Sequence, residues 1–381
     1  MRILYFTRDF TPHDHRFLAS LASSEHEVYS LRLERRSQQL EDRALPPEVT
    51  QVRWAGGQHA FRWRDMPALL AGFRGVLRSV RPDVVHAGPI QNAALLAAAA
   101  GTRPLVSMTW GYDLLVDAER GPLWRWATRY TLKHTEVLLG DCQAVRAKAS
   151  QFGFSPQRAV LFPWGIDLAR FSPGENEEFR MRHGWDDETF VLLSLRSWEP
   201  IYGVDVLARA FVRAAHKEPR LRLMLLGSGS QAPLVRKILL DGGVEERVFF
   251  GGRVSNPDLP QYYHAADLYI STSHTDGSSV SLMEALGCGC PALVSDIPGN
   301  REWITPGEQG WLFQDGDDAA LAEGILQAVE KWERLPEMSA EARHLAKQRA
   351  DWDKNFQTML SGYELARQMV LEDKKIADQR V

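Results

Sequence analysis

Cysteine is scarce in this sequence, which has three among 381 residues, at Cys142, Cys288 and Cys290. Three cysteines cannot form a disulfide framework. Cys288 and Cys290 are two positions apart and lack a second cysteine pair or nearby histidines, so they do not have the spacing of a structural zinc site. We therefore expect small buried residues at these positions, no bound metal, and a reducing compartment.

Long apolar runs are also missing. The longest, at residues 93–100, has eight residues, far fewer than the roughly 20 that a membrane-spanning helix needs. Residues 1–7 predict a first β-strand and lack the apolar core and cleavage site of a signal peptide. The expected location is the cytoplasm.

Charge is unevenly distributed, although the net charge is only −4. Residues 1–170 contain 22 Lys and Arg against 16 Asp and Glu, a balance of +6, and residues 171–381 contain 23 against 33, a balance of −10. This asymmetry predicts two domains with different tasks. The basic half would meet an anionic acceptor or membrane surface, or it is simply a solvated Arg-rich face.

Strand-like and helix-like stretches alternate along both halves, which predicts an α/β protein with parallel sheets covered by helices. Residues 162–174 are rich in Pro and Gly and predict a linker. We expect an N-terminal domain at 1–168, a C-terminal domain at 169–350, and a final helix at 351–372. The charged residues that follow, from 372 to the end, predict a frayed tail.

The segment 267–302 has the strongest functional signal. An apolar strand is followed by the turn formers Asp276 to Ser279, and Ser279 is a good N-cap for a helix from Val280 towards Gly287. Unpaired N–H groups at a helix N-terminus attract phosphates. Glu284, inside that helix, is placed to accept hydrogen bonds from ribose hydroxyls.

The sequence Asp276-Gly-Ser-Ser-Val-Ser-Leu-Met-Glu284-Ala-Leu-Gly-Cys-Gly-Cys-Pro291 resembles the signature of retaining glycosyltransferases of family 4. The spacing of the two acids is kept, but the first is Asp instead of Glu and Ser278-Ser279 replaces Phe-Gly. The resemblance extends over nearly all of the chain and is strongest from 162 to 302. It implies the GT-B fold: two doubly wound Rossmann-like domains that face each other across a cleft, with the last helix crossing back to the first domain.

The resemblance also implies roles for residues of the second half. Arg196 matches the family's diphosphate-binding Arg, whereas Tyr202 and a longer loop stand where a Lys is usual. We expect Arg196, Asp276 and Glu284 to be catalytic. The expected donor-binding residues are Tyr202, Gly252, Arg253, Val254, Gly277, Ser278, Ser279, Val280 and Ser281.

Another glycine pair, Gly227 and Gly229, follows a predicted strand and matches a family turn. A dinucleotide-binding fingerprint would need a third glycine, and position 232 is Ala. A redox cofactor is therefore not expected.

The first half is less informative. His13, Asp14 and His15 are expected in an exposed loop before a helix, either as a solvated turn or as acceptor contacts. His86 and Asp113 follow predicted strand ends, so each is either an acceptor contact or a structural residue, namely a core histidine and a turn-capping aspartate.

The resemblance implies transfer of a hexose from a UDP- or GDP-sugar to a hydroxyl of a sugar or lipid-linked acceptor, with retention, in bacterial polysaccharide or glycolipid synthesis. No metal or cofactor is expected, since Asp315-Gly-Asp317, which follows an apolar run, predicts a turn and a helix N-cap and not a metal-binding Asp-x-Asp motif. Nucleic acid is not an expected partner. Peripheral membrane contact through Arg125, Arg129 and Lys133 stays open beside a simple packed helix. The alternatives are a GT-B nucleotide-sugar epimerase and a non-catalytic nucleotide-sugar-binding protein.

Overall fold

A computed structural model describes residues 1–34, 41, 43–57 and 60–379. The chain divides into two compact units. Unit 1 comprises Met1–Phe162 with Phe356–Val381, and unit 2 comprises Pro163–Asn355. These limits differ by a few residues from the predicted domain boundaries at 168/169 and 350/351.

Unit 1 contains a parallel sheet that has seven strands within the described residues, in the order β3-β2-β1-β4-β5-β6-β7. Its strands are β1 (Arg2–Thr7), β2 (Glu27–Arg32), β3 (Thr50–Gln51), β4 (Val84–Gly88), β5 (Leu105–Met108), β6 (Val137–Gly140) and β7 (Ala159–Leu161). Its helices are α1 (Pro12–Ala22), α2 (Met66–Val80), α3 (Leu95–Ala99), α4 (Tyr112–Leu115), α5 (Pro122–Lys133) and α6 (Gln143–Gln151).

Unit 2 has a parallel sheet of six strands among the described residues, ordered β10-β9-β8-β11-β12-β13. The strands are β8 (Phe190–Ser194), β9 (Leu221–Leu226), β10 (Val248–Gly252), β11 (Leu268–Ser271), β12 (Ala292–Ser295) and β13 (Gly310–Phe313). The helices are α7 (Glu177–Arg182), α8 (Val204–Lys217), α9 (Ala232–Asp241), α10 (Pro260–Tyr263), α11 (Val280–Gly287), α12 (Pro298–Arg301), α13 (Asp318–Glu330), α14 (Leu335–Arg349) and α15 (Trp352–Asp378). Helix α15 begins in unit 2 and continues into unit 1. The predicted pair of parallel-sheet domains is confirmed.

Each sheet has one point where the strand order reverses. In unit 1 the chain proceeds from β1 to β2 and β3, then returns to place β4 on the other side of β1. Unit 2 repeats this arrangement with β8 and β11. Open α/β sheets bind ligands at the carboxyl ends of the strands beside such a reversal. The residues that follow β1, β8 and β11 are therefore candidates for a ligand-binding site.

The strands are apolar because both faces of each sheet are covered. In β1, Ile3 to Phe6 are fully buried, and in β8 the same holds for Phe190 to Leu193. α8, which has a wide apolar stripe, buries eight residues in the core of unit 2, among them Leu207 and Phe211. Buried runs of this kind are expected in parallel sheets.

The C-terminal segment corrects a prediction. A frayed tail was expected from 372, but α15 continues to Asp378. Arg103 forms an ion pair with Asp373 at 2.6 Å, and Glu372, Lys374 and Lys375 favour helix, so the helix is not interrupted. Residues 380–381 lie outside the described residues. Within unit 1, α15 packs so closely on β6 that a Cβ at Gly362 would lie 2.8 Å from Leu139.

Candidate functional site

The loop between β11 and α11 is built from small buried residues. Ser279 caps α11 through a long hydrogen bond, at 3.4 Å, from the Leu282 N–H to its hydroxyl, as predicted. Gly299 of α12 lies directly beneath the loop, because a Cβ there would come 2.3 Å from the Gly277 carbonyl oxygen. Gly277, Ser278 and Ser279 are buried. The amino end of α11 is therefore held rigidly, with its N–H groups beside the strand-order reversal.

Arg196 lies two residues beyond β8 and reaches this loop. Its guanidinium donates to the Ser279 hydroxyl at 2.9 Å and the Ser281 hydroxyl at 3.1 Å, and to the Asp276 carboxylate at 2.6 Å. The Nε–H is buried and has no hydrogen-bond partner within the described part of the chain. The structure thus brings Arg196 into contact with Asp276, Ser279 and Ser281, which lie 80 or more positions after it in the sequence.

Tyr202 flanks the same guanidinium. Its ring lies 4.4 Å from the Arg196 Cζ, at the distance of a cation–π contact. Burial disfavours the Arg196 charge, but the Asp276 carboxylate, together with Tyr269 and Tyr202, outweighs that effect, and the pKa of Arg196 is raised. Arg196 is therefore a permanent cation held in one orientation.

Glu284 is buried in α11 at 4% exposure. One carboxylate oxygen accepts from the Asn256 amide at 3.1 Å, and the other lies 3.0 Å from the Tyr263 hydroxyl. The Tyr269 hydroxyl lies 2.7 Å from that of Ser281. The sequence analysis missed Asn256, Tyr263 and Tyr269, because a tyrosine or asparagine at these spacings has no local signal.

The remaining predicted donor residues occupy the end of β10. Gly252 and Arg253 are exposed and Val254 is half-buried. The Gly252 carbonyl accepts from the Gly227 N–H at 2.6 Å. Asn256, which contacts Glu284, follows Val254 by two residues, so the structure brings this segment next to α11. Their role in donor binding stays a prediction.

In unit 1, the expectation of an exposed loop at residues 13–15 is wrong. Thr11 and Asp14 form a capping box, so α1 begins at Pro12 and includes His13, Asp14 and His15. Asp14 is buried and its carboxylate accepts from Tyr5 at 3.0 Å and from Thr11. Burial raises the pKa of Asp14 to about 6.

His86 and Asp113 have the structural roles that the sequence analysis gave as alternatives to acceptor contacts: a core histidine and a turn-capping aspartate. His86 is fully buried in β4, its Nδ1 lies 2.6 Å from the Tyr363 hydroxyl, and burial lowers its pKa to about 3. Asp113 accepts from the N–H groups of Ile90 and Trp110, both at 2.8 Å, which caps the turn after β5.

The described residues contain no group of three or more His, Cys, Asp or Glu placed to hold a metal ion. All three cysteines are unbonded and buried. In the portion of the chain that the structure describes, no helix combines the length and apolar character needed to cross a membrane.

Comparisons with known proteins match both units. Residues 13–165 match the model of the glycosyl transferase 4-like domain, and residues 175–345 match glycosyl transferases group 1. The chain belongs to glycosyltransferase family 4. The sequence resemblance is thereby confirmed, and the departures at Asp276, Ser278 and Tyr202 are departures within this family.

Several curated glycosyltransferases are distant relatives of the chain. A D-inositol 3-phosphate glycosyltransferase of Geodermatophilus obscurus is 29% identical over 239 residues, which is 60% of this chain and 52% of that protein. A GDP-mannose-dependent monoacylated alpha-(1-6)-phosphatidylinositol monomannoside mannosyltransferase of Corynebacterium glutamicum is 26% identical over 325 residues, 82% of each chain. The chain spans about half to two thirds of the length of several curated relatives that it matches.

Solved structures of other proteins share the fold. Anabaena HepE in complex with UDP superposes with a TM-score of 0.78 at 21% identity, over 95% of this chain and 99% of that chain. The sucrose-phosphate synthase of Thermosynechococcus elongatus gives 0.78 at 16% identity, over 98% and 100%. The predicted GT-B fold is confirmed.

Tyr263 provides a test of how Glu284 is oriented. Tyr263→Phe should raise the KM for the donor about three- to tenfold and change kcat less than twofold, because it removes a hydroxyl that lies 3.0 Å from both the buried Glu284 carboxylate and the Ser281 carbonyl oxygen. Steady-state kinetics with varied donor would measure this. Tyr262→Phe is the matched control, since that neighbouring hydroxyl makes no hydrogen bond among the described residues. Equal KM values for the two variants would contradict the role of Tyr263.

Proposed function

We propose that the protein transfers a hexosyl group from a nucleoside diphosphate hexose to a hydroxyl group of a sugar or lipid-linked acceptor, with retention at the anomeric carbon and without a metal ion. The proposal rests on the cluster at the amino end of α11, in which Arg196 contacts Asp276, Ser279 and Ser281 (the Arg196 cluster). Negative charge grows on the leaving diphosphate as the glycosidic bond breaks, and fixed donors at that place stabilise the transition state.

Each part of the cluster has a task in this scheme. The Arg196 guanidinium and the N–H groups of Ser279, Val280 and Ser281 bind the diphosphate, and the partnerless Arg196 Nε–H finds an acceptor there. Glu284 accepts hydrogen bonds from the ribose. Asp276, with Ser278, contacts the hexose, and its carboxylate leaves Arg196 when phosphate oxygens replace it.

The donor is a UDP- or GDP-hexose in this proposal. The solved relatives support a uridine nucleotide, since HepE was crystallised with UDP and with UDP-glucose. The mannosyltransferase relative supports guanosine, because its name specifies GDP-mannose. A thermal-shift screen of nucleotide sugars separates the two, since a ligand at 100 times its dissociation constant stabilises the folded state by about 2.7 kcal/mol.

The stereochemistry and the metal requirement are tested on the product. NMR of the new linkage should show the anomeric configuration of the donor, and the rate should be unchanged by EDTA. Inversion would refute the retaining mechanism. Inhibition by EDTA that magnesium or manganese reverses would refute metal independence. Interconversion of donor sugars without any acceptor would favour an epimerase instead.

For the acceptor we propose a saccharide of a bacterial polysaccharide or glycolipid pathway, used in the cytoplasm at the inner membrane face. α5 supports the membrane contact: Leu123 and Trp126 are exposed beside the exposed cations Arg125, Arg129 and Lys133. Sedimentation with anionic vesicles at low salt tests this part. Failure to bind vesicles, together with turnover of a soluble sugar, would leave a soluble-acceptor transferase.

A further inference from the structure

Residues 167–171 form a tight turn in unit 2 that packs against α11. The Asp167 carboxylate accepts hydrogen bonds from two N–H groups of this turn, at 3.0 and 3.1 Å. A Cβ at Gly287, the last residue of α11, would lie 3.2 Å from the Phe171 carbonyl oxygen. The turn therefore has a fixed backbone and rests on the helix that carries Glu284.

Arg343 of α14 joins this turn to α11. Its Nη1 atom donates to the carbonyl oxygens of Phe171 and Gly287, both at 2.6 Å, and its Nη2 atom donates to that of Leu168 at 3.0 Å. The last carbonyl groups of a helix have no partner within the helix, and a cation at that end is favourable. The position of Arg170 relative to α11 is thus set by contacts at the carboxyl end of the helix, away from the Arg196 cluster.

From this turn, Arg170 reaches Glu284 through Asn256. The Arg170 Nη1 atom donates to Asn256 Oδ1 at 2.9 Å, and Asn256 Nδ2 donates to Glu284 Oε1 at 3.1 Å. A guanidinium can only donate and a carboxylate can only accept, so the amide has one possible orientation between them. Asn256 is exposed in the turn that follows β10. Its orientation is therefore set by these two contacts rather than by packing.

Both oxygens of the Glu284 carboxylate are held in this way. Asn256 donates to Oε1, and the Tyr263 hydroxyl lies 3.0 Å from Oε2. A carboxylate accepts from two neighbouring ribose hydroxyls only when its plane is fixed relative to them. The Arg170 side chain is 43% exposed, so its contact with the amide adds little to the stability of the fold. Its effect falls on the direction in which the amide points.

We propose that Arg170 is a positioning residue for nucleotide recognition: through Asn256 it holds the Glu284 carboxylate in the orientation that accepts both ribose hydroxyls. This inference rests on the proposed function, in which Glu284 accepts hydrogen bonds from the ribose. Arg170 touches neither the ribose nor the diphosphate in this scheme. It contributes to the preference for a ribonucleotide over an analogue that lacks the hydroxyls.

Arg170→Met tests the proposal because it removes the donors and keeps a long side chain. Isothermal titration would use UDP and GDP and their 2′,3′-dideoxy analogues. The dissociation constant of the preferred ribonucleotide should rise about three- to tenfold, and that of its dideoxy analogue should change less than twofold. Arg170→Lys should recover part of the loss, since an ammonium can still donate to the Asn256 oxygen.

A double-mutant cycle tests the route through Asn256. Asn256→Ala should weaken ribonucleotide binding about as much as Arg170→Met does. Combining the two changes should add less than a further twofold, because the arginine acts only through the amide. Additive losses would show that Arg170 acts by another route and would overturn the proposal.

The matched control is Arg182→Met, which removes an exposed arginine of α7 that pairs with Glu178 at 2.6 Å and should bind every ligand as the parent does. Equal losses for the ribonucleotide and its analogue in Arg170→Met would indicate a merely structural role and overturn the proposal. So would unchanged binding of both. A parent that binds the two equally would refute the ribose contact of Glu284 as well. A parent that binds neither UDP nor GDP would refute the proposed donor, and this inference with it.

Discussion

Replacing Arg196 with Ala should lower kcat about 100-fold. The guanidinium is the buried cation at the amino end of α11, where it holds Ser279, Ser281 and Asp276 together. Removing a donor aimed at developing charge typically costs about 100- to 1,000-fold in rate. The loss should fall on kcat more than on the KM for the donor, because the charge on the diphosphate is greatest in the transition state.

Two further variants test whether the loss of activity is specific to the Arg196 guanidinium. Arg209→Ala removes a half-exposed arginine of α8, which pairs with Asp205 at 2.9 Å, and should leave kcat unchanged. Arg196→Lys should recover only part of the loss, since an ammonium cannot bind several oxygens in the fixed geometry of a guanidinium. Activity of the Ala variant within threefold of the parent would assign diphosphate binding to Tyr202 or to a different basic residue.

Replacing Glu284 with Gln should raise the KM for the donor roughly 30- to 100-fold, with a smaller change in kcat. The carboxylate is buried, and Asn256 and Tyr263 fix its orientation. An amide has one acceptor oxygen instead of two and no charge, and each hydrogen bond to a charged group is worth about 1.5–3 kcal/mol. Isothermal titration with the nucleoside diphosphate would show the same loss without turnover.

A donor nucleotide without ribose hydroxyls tests whether Glu284 contacts the ribose. The parent enzyme should bind the 2′,3′-dideoxy analogue as weakly as Glu284→Gln binds the natural nucleotide, and the variant should not distinguish the two ligands. Glu330→Gln, at the exposed end of α13, is the control and should behave as the parent. Independent, additive losses from the variant and the analogue would show that Glu284 does not contact the ribose.

Local patterns in the sequence determined most of the secondary structure. The strand-like apolar run at residues 221–226 and the helical pattern at residues 66–80 coincide with β9 and α2, and the helix that Ser279 caps begins at Val280 as expected. These features depend on neighbouring residues alone: strand propensity, helical periodicity and an N-cap hydroxyl. The motif from Asp276 to Pro291 likewise identified the family without a structure.

The predicted first residues of helices were less accurate where the N-cap was not recognised in the sequence. The apolar helical pattern of the sequence starts at Phe17, but α1 begins at Pro12, because Thr11 and Asp14 cap each other through a box with Asp in place of the usual Glu. Another helical pattern starts at Ser339, but α14 begins at Leu335, with Pro336 in its first turn. In both cases the residues that decide the boundary lie outside the apolar pattern.

The partners of the candidate site residues were decided by the tertiary structure alone. Arg196 meets Asp276 across 80 residues of sequence, and His86 meets Tyr363 across 277. The adjacency of β8 and β11 places Arg196 beside Asp276, and the packing of α15 on the sheet of unit 1 places Tyr363 beside His86. No local pattern encodes either arrangement. The burial of Asp14 and the supports of Glu284 belong to the same class. Residue types and spacing therefore indicated the chemistry, whereas packing determined which groups are structural and which are available to a ligand.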